Sequence, residues 1–120
     1  MATLWTLGCD AADPHRQAAF WAGALGYVRE PGYDEPDGAS IVDPEGRGPA
    51  ISFLRVPEPK TAKNKMHLDV RVDSALIRTK AAELEAAGAT VVREHRYGAE
   101  LSHVVMLDPE GNEFCVAPAG

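Results

Sequence analysis

The sequence predicts an α+β fold made of two βαβββ modules, and three observations carry that prediction. Asp43-Pro44-Glu45-Gly46 recurs as Asp108-Pro109-Glu110-Gly111, and Val28-Arg29-Glu30 recurs as Val92-Arg93-Glu94, at offsets that differ by a single residue. Each Val-Arg-Glu follows a stretch of helical periodicity, and each such stretch follows a short strand-like run. The chain of 120 residues has the length of one domain, so both modules are expected within it. Module one covers about 3–56, a linker 57–65, and module two about 66–117.

In the first module Leu4 to Cys9 reads as a strand. Asp13 then caps a helix whose first position is Pro14, where a missing N–H costs nothing. Phe20, Trp21, Ala24 and Leu25 follow at helical spacing, and Gly26 stops the helix. Trp5, Phe20 and Trp21 are expected in helix–sheet packing. Tyr27 to Arg29, Ala39 to Val42 and Ala50 to Val56 are strands bounded by turn residues. The two Asp-Pro-Glu-Gly runs fit β-turns: Pro sets φ for the turn and Gly accepts positive φ.

The second module opens with Met66 to Val72, which alternates with period two. Met66, Leu68, Val70 and Val72 take one face and His67, Asp69 and Arg71 the other. Asp73 or Ser74 caps a second helix with Leu76, Ile77, Ala81, Leu84 and Ala87 on one stripe, expected to be about one turn longer than the first. Thr90 to Arg93, His103 to Leu107 and Glu113 to Val116 complete the module, with His95 in an exposed turn. Pro57, Pro59 and three lysines between the modules indicate a stiff, basic, solvated linker.

Composition narrows the function. Apolar residues make up 45% and the net charge is −6, with no basic stripe, which argues against nucleic acid as a partner. No apolar run has the roughly 20 residues that span a bilayer, and the start lacks the pattern of a signal peptide. A cytoplasmic protein with a small-molecule partner is expected. Cys9 and Cys115 are far apart with no Cys-x-x-Cys, consistent with reduced thiols. The abundance of Ala, Arg, Gly and Pro is that of a GC-rich bacterial gene.

Four pieces of the chain resemble the glyoxalase-like branch of the vicinal-oxygen-chelate superfamily, which also includes bleomycin resistance proteins and extradiol dioxygenases. They are Asp13-Pro14 with Ala19-Phe20-Trp21 and Leu25-Gly26; Arg55 to Lys60; Lys63 to Asp69; and Asp108 to Cys115. The resemblance implies a curved, cup-shaped mixed sheet with helices on the convex side and a ligand in the cup between the modules; a homodimer that buries the outer strand edges is expected. Metal-dependent members carry His, Gln or Glu at four strand positions. By resemblance these fall on Thr6 (or Leu7), on Ser52 to Leu54, on His67 and on Cys115. Only His67 keeps a usual ligand, so no cofactor and no tightly bound divalent cation is expected, although His67 leaves room for a weak one.

Two functions follow as expectations. One is an enzyme acting on a small oxygenated molecule, with His67 and Glu113 as acid–base or metal-binding pair and Asp69, Arg71, His103, Cys115 and Thr6 contacting substrate. Asp69 would orient the His67 imidazole. The other is a binding module that sequesters a drug or metabolite without chemistry. Strand parity places Glu113 and Cys115 on one face and Phe114 and Val116 in the core, and it predicts a deep cavity lined by His67, Asp69, Glu113 and Cys115.

Overall fold

A computed structural model of the chain describes residues 1–33 and 35–119. Backbone contacts group them into two compact units that divide after Pro59. The first holds β1 (Leu7–Ala11), α1 (Pro14–Leu25), β2 (Val28–Arg29), β3 (Gly38–Val42) and β4 (Ile51–Arg55). The second holds β5 (Asp69–Val72), α2 (Ile77–Ala86), β6 (Thr90–Tyr97), β7 (Glu100–Leu107) and β8 (Glu113–Pro118). Each unit folds as βαβββ and forms one four-stranded mixed sheet, in the order β1-β4-β3-β2 or β5-β8-β7-β6. The outer pairs β1–β4 and β5–β8 are parallel and the rest antiparallel.

Local chemistry sets the element ends. The Asp13 carboxylate accepts the Arg16 N–H at 3.1 Å, Pro14 begins α1, and Gly26 ends it at φ 71°. Both Asp-Pro-Glu-Gly runs are turns closed by a Gly N–H to the Asp carbonyl at 2.9 Å, with Gly46 and Gly111 at positive φ. The Asp side chains complete them. Asp43 accepts the backbone N–H groups of Glu45, Arg47 and Gly48, which hold its carboxyl below the usual carboxylate range. Asp108 accepts those of Glu110 and Asn112.

One face of each sheet packs under its helix. Phe20, Trp21, Ala39, Ile41, Ile51 and Phe53 are buried in the first unit. In the second, α2 packs on β7 and β8, and Val70, Ile77, Leu84, Val104, Met106, Phe114 and Val116 are buried. Arg78 on α2 donates two hydrogen bonds to Glu94 on β6, and Arg96 donates a third. Arg78, and then Arg96, hold the Glu94 carboxyl down to about 2. A depressed carboxyl gives stability above its ordinary value of 4.5 that is lost as pH falls toward about 2. Glu94→Gln is expected to flatten acid unfolding in that window, read by circular dichroism.

Several expectations are corrected. The strand expected from Leu4 begins at Leu7; Leu4 to Thr6 are exposed, and Trp5, at 66% exposure, is not part of the helix–sheet packing. The second helix is not longer than the first: a 3-10 turn, Ser74–Leu76, uses the extra residues, with the Asp73 side chain accepting the Ala75 N–H. Leu76 and Ala87 are exposed, so the buried stripe reduces to Ile77, Ala81 and Leu84. β6 runs on to Tyr97, which puts His95 in a strand rather than a turn. Among the described residues, no helix is long and apolar enough to cross a membrane.

Candidate functional site

The face of the second sheet turned away from α2 is polar, and its rows follow from strand register. Asp69 pairs with Cys115, Cys115 with Val105, and Val105 with Arg93. Residues paired across a ladder project to the same side, so these four form one row across all four strands. The next row runs Arg71, Ala117, His103 and His95, since Arg71 pairs with Ala117 and His103 with His95. On the other side the row holds Glu113 and Leu107, with His67 two residues before Asp69.

This face brings together most of the residues expected from sequence. The ladder of β5 begins at Asp69, so His67 lies just ahead of the strand, although the Cys115 N–H still bonds the Leu68 carbonyl at 3.0 Å. The His67 Nε2 stands 3.4 Å from the Asp69 carboxylate, with the two side chains 44% and 50% exposed. Cys115 is buried beside them. Burial first, then Asp69 and Glu113, push its thiol up, offset in part by Arg93 and Lys63. At neutral pH the thiol is protonated and not a nucleophile.

Glu113 is fixed from the linker. The Asn64 side-chain amide accepts the Glu113 N–H at 2.8 Å and donates to the Glu113 carbonyl at 3.1 Å. Lys63 lies 3.4 Å from the Glu113 carboxylate. The end of the linker is therefore docked on β8, where a purely solvated segment was expected. No sequence periodicity marks Asn64, because its partner is a backbone 49 residues away.

Other expected residues are placed differently. Arg71 shares the polar face, but its Nε donates to the Pro118 carbonyl at 2.6 Å. His103 is half-buried on β7, an interior strand, with its ring stacked on His95 at 4.8 Å and its Nδ1 3.1 Å from the Ser102 hydroxyl. Thr6 is exposed ahead of β1 in the first unit. A pocket of about 580 Å³ runs along the linker, lined by residues including Lys60, Lys63, Asn64, Leu107, Gly111 and Glu113, so Glu113 faces it as well as the polar row. His67 is half exposed rather than buried. Sequence reasoning missed Arg93 and His95, whose facing was hidden by a register shift in β6 between Val91 and Arg93.

The same ladders align the two units. In the first, Leu7 pairs with Ile51, which pairs with Ile41. In the second, Phe114 pairs with Met106 and follows the Leu68 step. Counting from the two turns makes Thr6 the counterpart of His67, and Ser52 the counterpart of Cys115. Where the second unit carries a thiol between Asp69 and Val105, the first carries the Ser52 hydroxyl between Gly8 and Ser40.

The chain belongs to the glyoxalase-like domain family, whose model matches residues 6–117, and so to the vicinal-oxygen-chelate superfamily. Among solved structures it is similar to a glyoxalase/bleomycin resistance protein/dioxygenase family enzyme from Burkholderia phytofirmans PsJN. That pair is 21% identical over 99% of this chain and 100% of that one, with a TM-score of 0.79. A possible glyoxalase from Bacillus cereus is 17% identical over 98% and 99%, with a TM-score of 0.73. A mutant of the fosfomycin resistance protein FosX from Listeria monocytogenes, complexed with Mn(II) and 1S,2S-dihydroxypropylphosphonic acid, is 15% identical over 100% and 91%, with a TM-score of 0.77. No curated protein sequence matches the chain.

A hard divalent cation prefers oxygen donors, carboxylates above all. The four positions of the metal-dependent pattern hold Thr6, Ser52, His67 and Cys115: two hydroxyls, an imidazole and a thiol. This donor set does not fit such an ion.

Proposed function

We propose that the polar face of the second sheet binds a small oxygenated organic molecule and transfers a proton on it, without the hard cation of metal-dependent relatives. The observation that carries this reading is the grouping of His67, Asp69, Glu113 and Cys115 on the one sheet face that no helix of its unit covers. Each has a distinct part. His67 gives or takes a proton, Asp69 orients its ring, and Glu113, held by Asn64 and Lys63, is the second proton-transfer group. Arg93 and His103 supply donors for the oxygens of the bound molecule.

A second reading, sequestration without chemistry, is favoured by one observation. The stacked rings of His95 and His103, with Tyr97 edge-on to His95 at 5.3 Å, give a flat surface suited to a planar molecule.

The test is His67→Ala. Thermal-shift screening of small hydroxy acids, diols and catechols should find ligands of the natural chain that the variant no longer binds. The variant's own stability should stay within about 0.5 kcal/mol, as for other exposed side chains. A ligand bound equally by both proteins would remove His67 from the site. Mass spectrometry of the ligand after incubation separates turnover from sequestration.

A further inference from the structure

We infer that the pocket along the linker seats an anionic group, a carboxylate or a phosphate, of the molecule bound on the polar face, with Lys60 as the cation that receives it. This rests on the proposed function and adds the chemical class of the ligand. The whole pocket lies in the second unit, and its volume of about 580 Å³ is in the range of small-molecule sites. Leu107 and Glu113, paired across β7 and β8, form part of its wall. The pocket therefore adjoins the face that carries His67 and Cys115.

The linker gives it a fixed wall. Besides bracing the Glu113 backbone, the Asn64 amide donates to the Met66 carbonyl. At the other end of the segment the Lys60 stem runs beside the β7–β8 turn, where a methyl added at Gly111 would stand 4.0 Å from its Cδ. The chain from Lys60 to Asn64 is thus held at both ends, and such preorganisation lowers the cost of binding.

Charge decides what the pocket accepts. Lys60, Lys63, Glu110 and Glu113 all line it, but they are not equivalent. Lys63 lies 3.4 Å from the Glu113 carboxylate, so these two charges offset each other. Lys60 donates to the Ala62 carbonyl and, among the described residues, pairs with no carboxylate. An ammonium group has further N–H donors for an acid group, and the neighbouring Thr61 also lines the pocket. Glu110 repels an anion, which confines the acid group to the Lys60 and Thr61 side. Neighbouring strands lie about 4.8 Å apart, so an acid group here and an oxygen at His67 are roughly 5–10 Å apart. A short hydroxylated acid spans that distance.

Inorganic phosphate and lactate are the probes, followed by backbone amide shifts in proton–nitrogen NMR at constant ionic strength. At least one of them is expected to saturate a single site, with the largest shifts at Thr61, Lys63 and Gly111. The tighter of the two tells whether phosphate or carboxylate is preferred. Lys60→Gln should weaken that binding about tenfold, as for loss of a charge-assisted hydrogen bond. Glu110→Gln should tighten it about two- to threefold. Lys65→Gln removes the same charge outside the pocket and should leave it unchanged. Circular dichroism checks that each variant is folded. Equal weakening by Lys60→Gln and Lys65→Gln, or shifts that never saturate with either probe, overturns the pocket. His67→Ala keeps the two readings apart. Probe binding that survives in this variant, with no ligand of the natural chain depending on His67, overturns the proposed function alone. Ligands that depend on His67 but not on Lys60 overturn the pocket alone.

Discussion

Phe114→Ala is expected to destabilise the chain by about 3–5 kcal/mol. Phe114 is 1% exposed in the middle of β8, which lies between β5 and β7. Its ring sits on the α2 side together with Val116, Val104 and Met106, all buried. Removing it opens a cavity in the best-covered part of the second unit, and an interior strand cannot move inward to fill it. Native domains hold only about 5–15 kcal/mol in total, so the variant stands near the threshold of unfolding. Urea unfolding followed by far-UV circular dichroism is the suitable measurement, because both tryptophans lie in the first unit. A midpoint unchanged from the natural chain would mean that β8 does not anchor this core.

Asp108→Ala should cost about 2–4 kcal/mol for a different reason. The side chain is 4% exposed, and one carboxylate oxygen accepts the N–H groups of Glu110 and Asn112 at 2.9 and 3.0 Å while the other takes the Asn112 amide at 3.3 Å. Alanine leaves these donors unpaired in a half-buried turn and also removes the constraint that aligns β7 with β8. Asp108→Asn keeps one acceptor oxygen and should retain most of the stability. Equal losses in both variants, by the same urea assay, would show that negative charge rather than the hydrogen-bond pattern holds the turn.

These two residues illustrate what was legible in the sequence. The repeated Asp-Pro-Glu-Gly gave the two turns, and with them the module count, because a turn's chemistry is local and set by four residues. Parity placed Phe114 and Val116 under the helix and Glu113 and Cys115 opposite, as period two requires. It placed Val70 correctly but not Met66, which at 78% exposure lies ahead of the ladder. The failures were non-local. The contribution of Asn64 depends on a backbone far along the chain, and the facing of Arg93 and His95 depends on a bulge that alternation does not register. The length of α2 was misjudged because the spacing between cap and strand counts residues without saying how many enter a 3-10 turn.

The parallel pairing of β5 with β8 has a consequence for the order of folding. It joins the first and last strands of its unit, so it closes the longest loop there, and loop closure is costly before distant contacts reward it. The β6–β7 and β7–β8 hairpins join neighbouring segments and form sooner. Asp69 and Cys115 therefore meet only at the end of assembly. On the ribosome β8 is also the last of the eight described strands to emerge, so the helix-covered core can begin to form before the polar row across the sheet is complete.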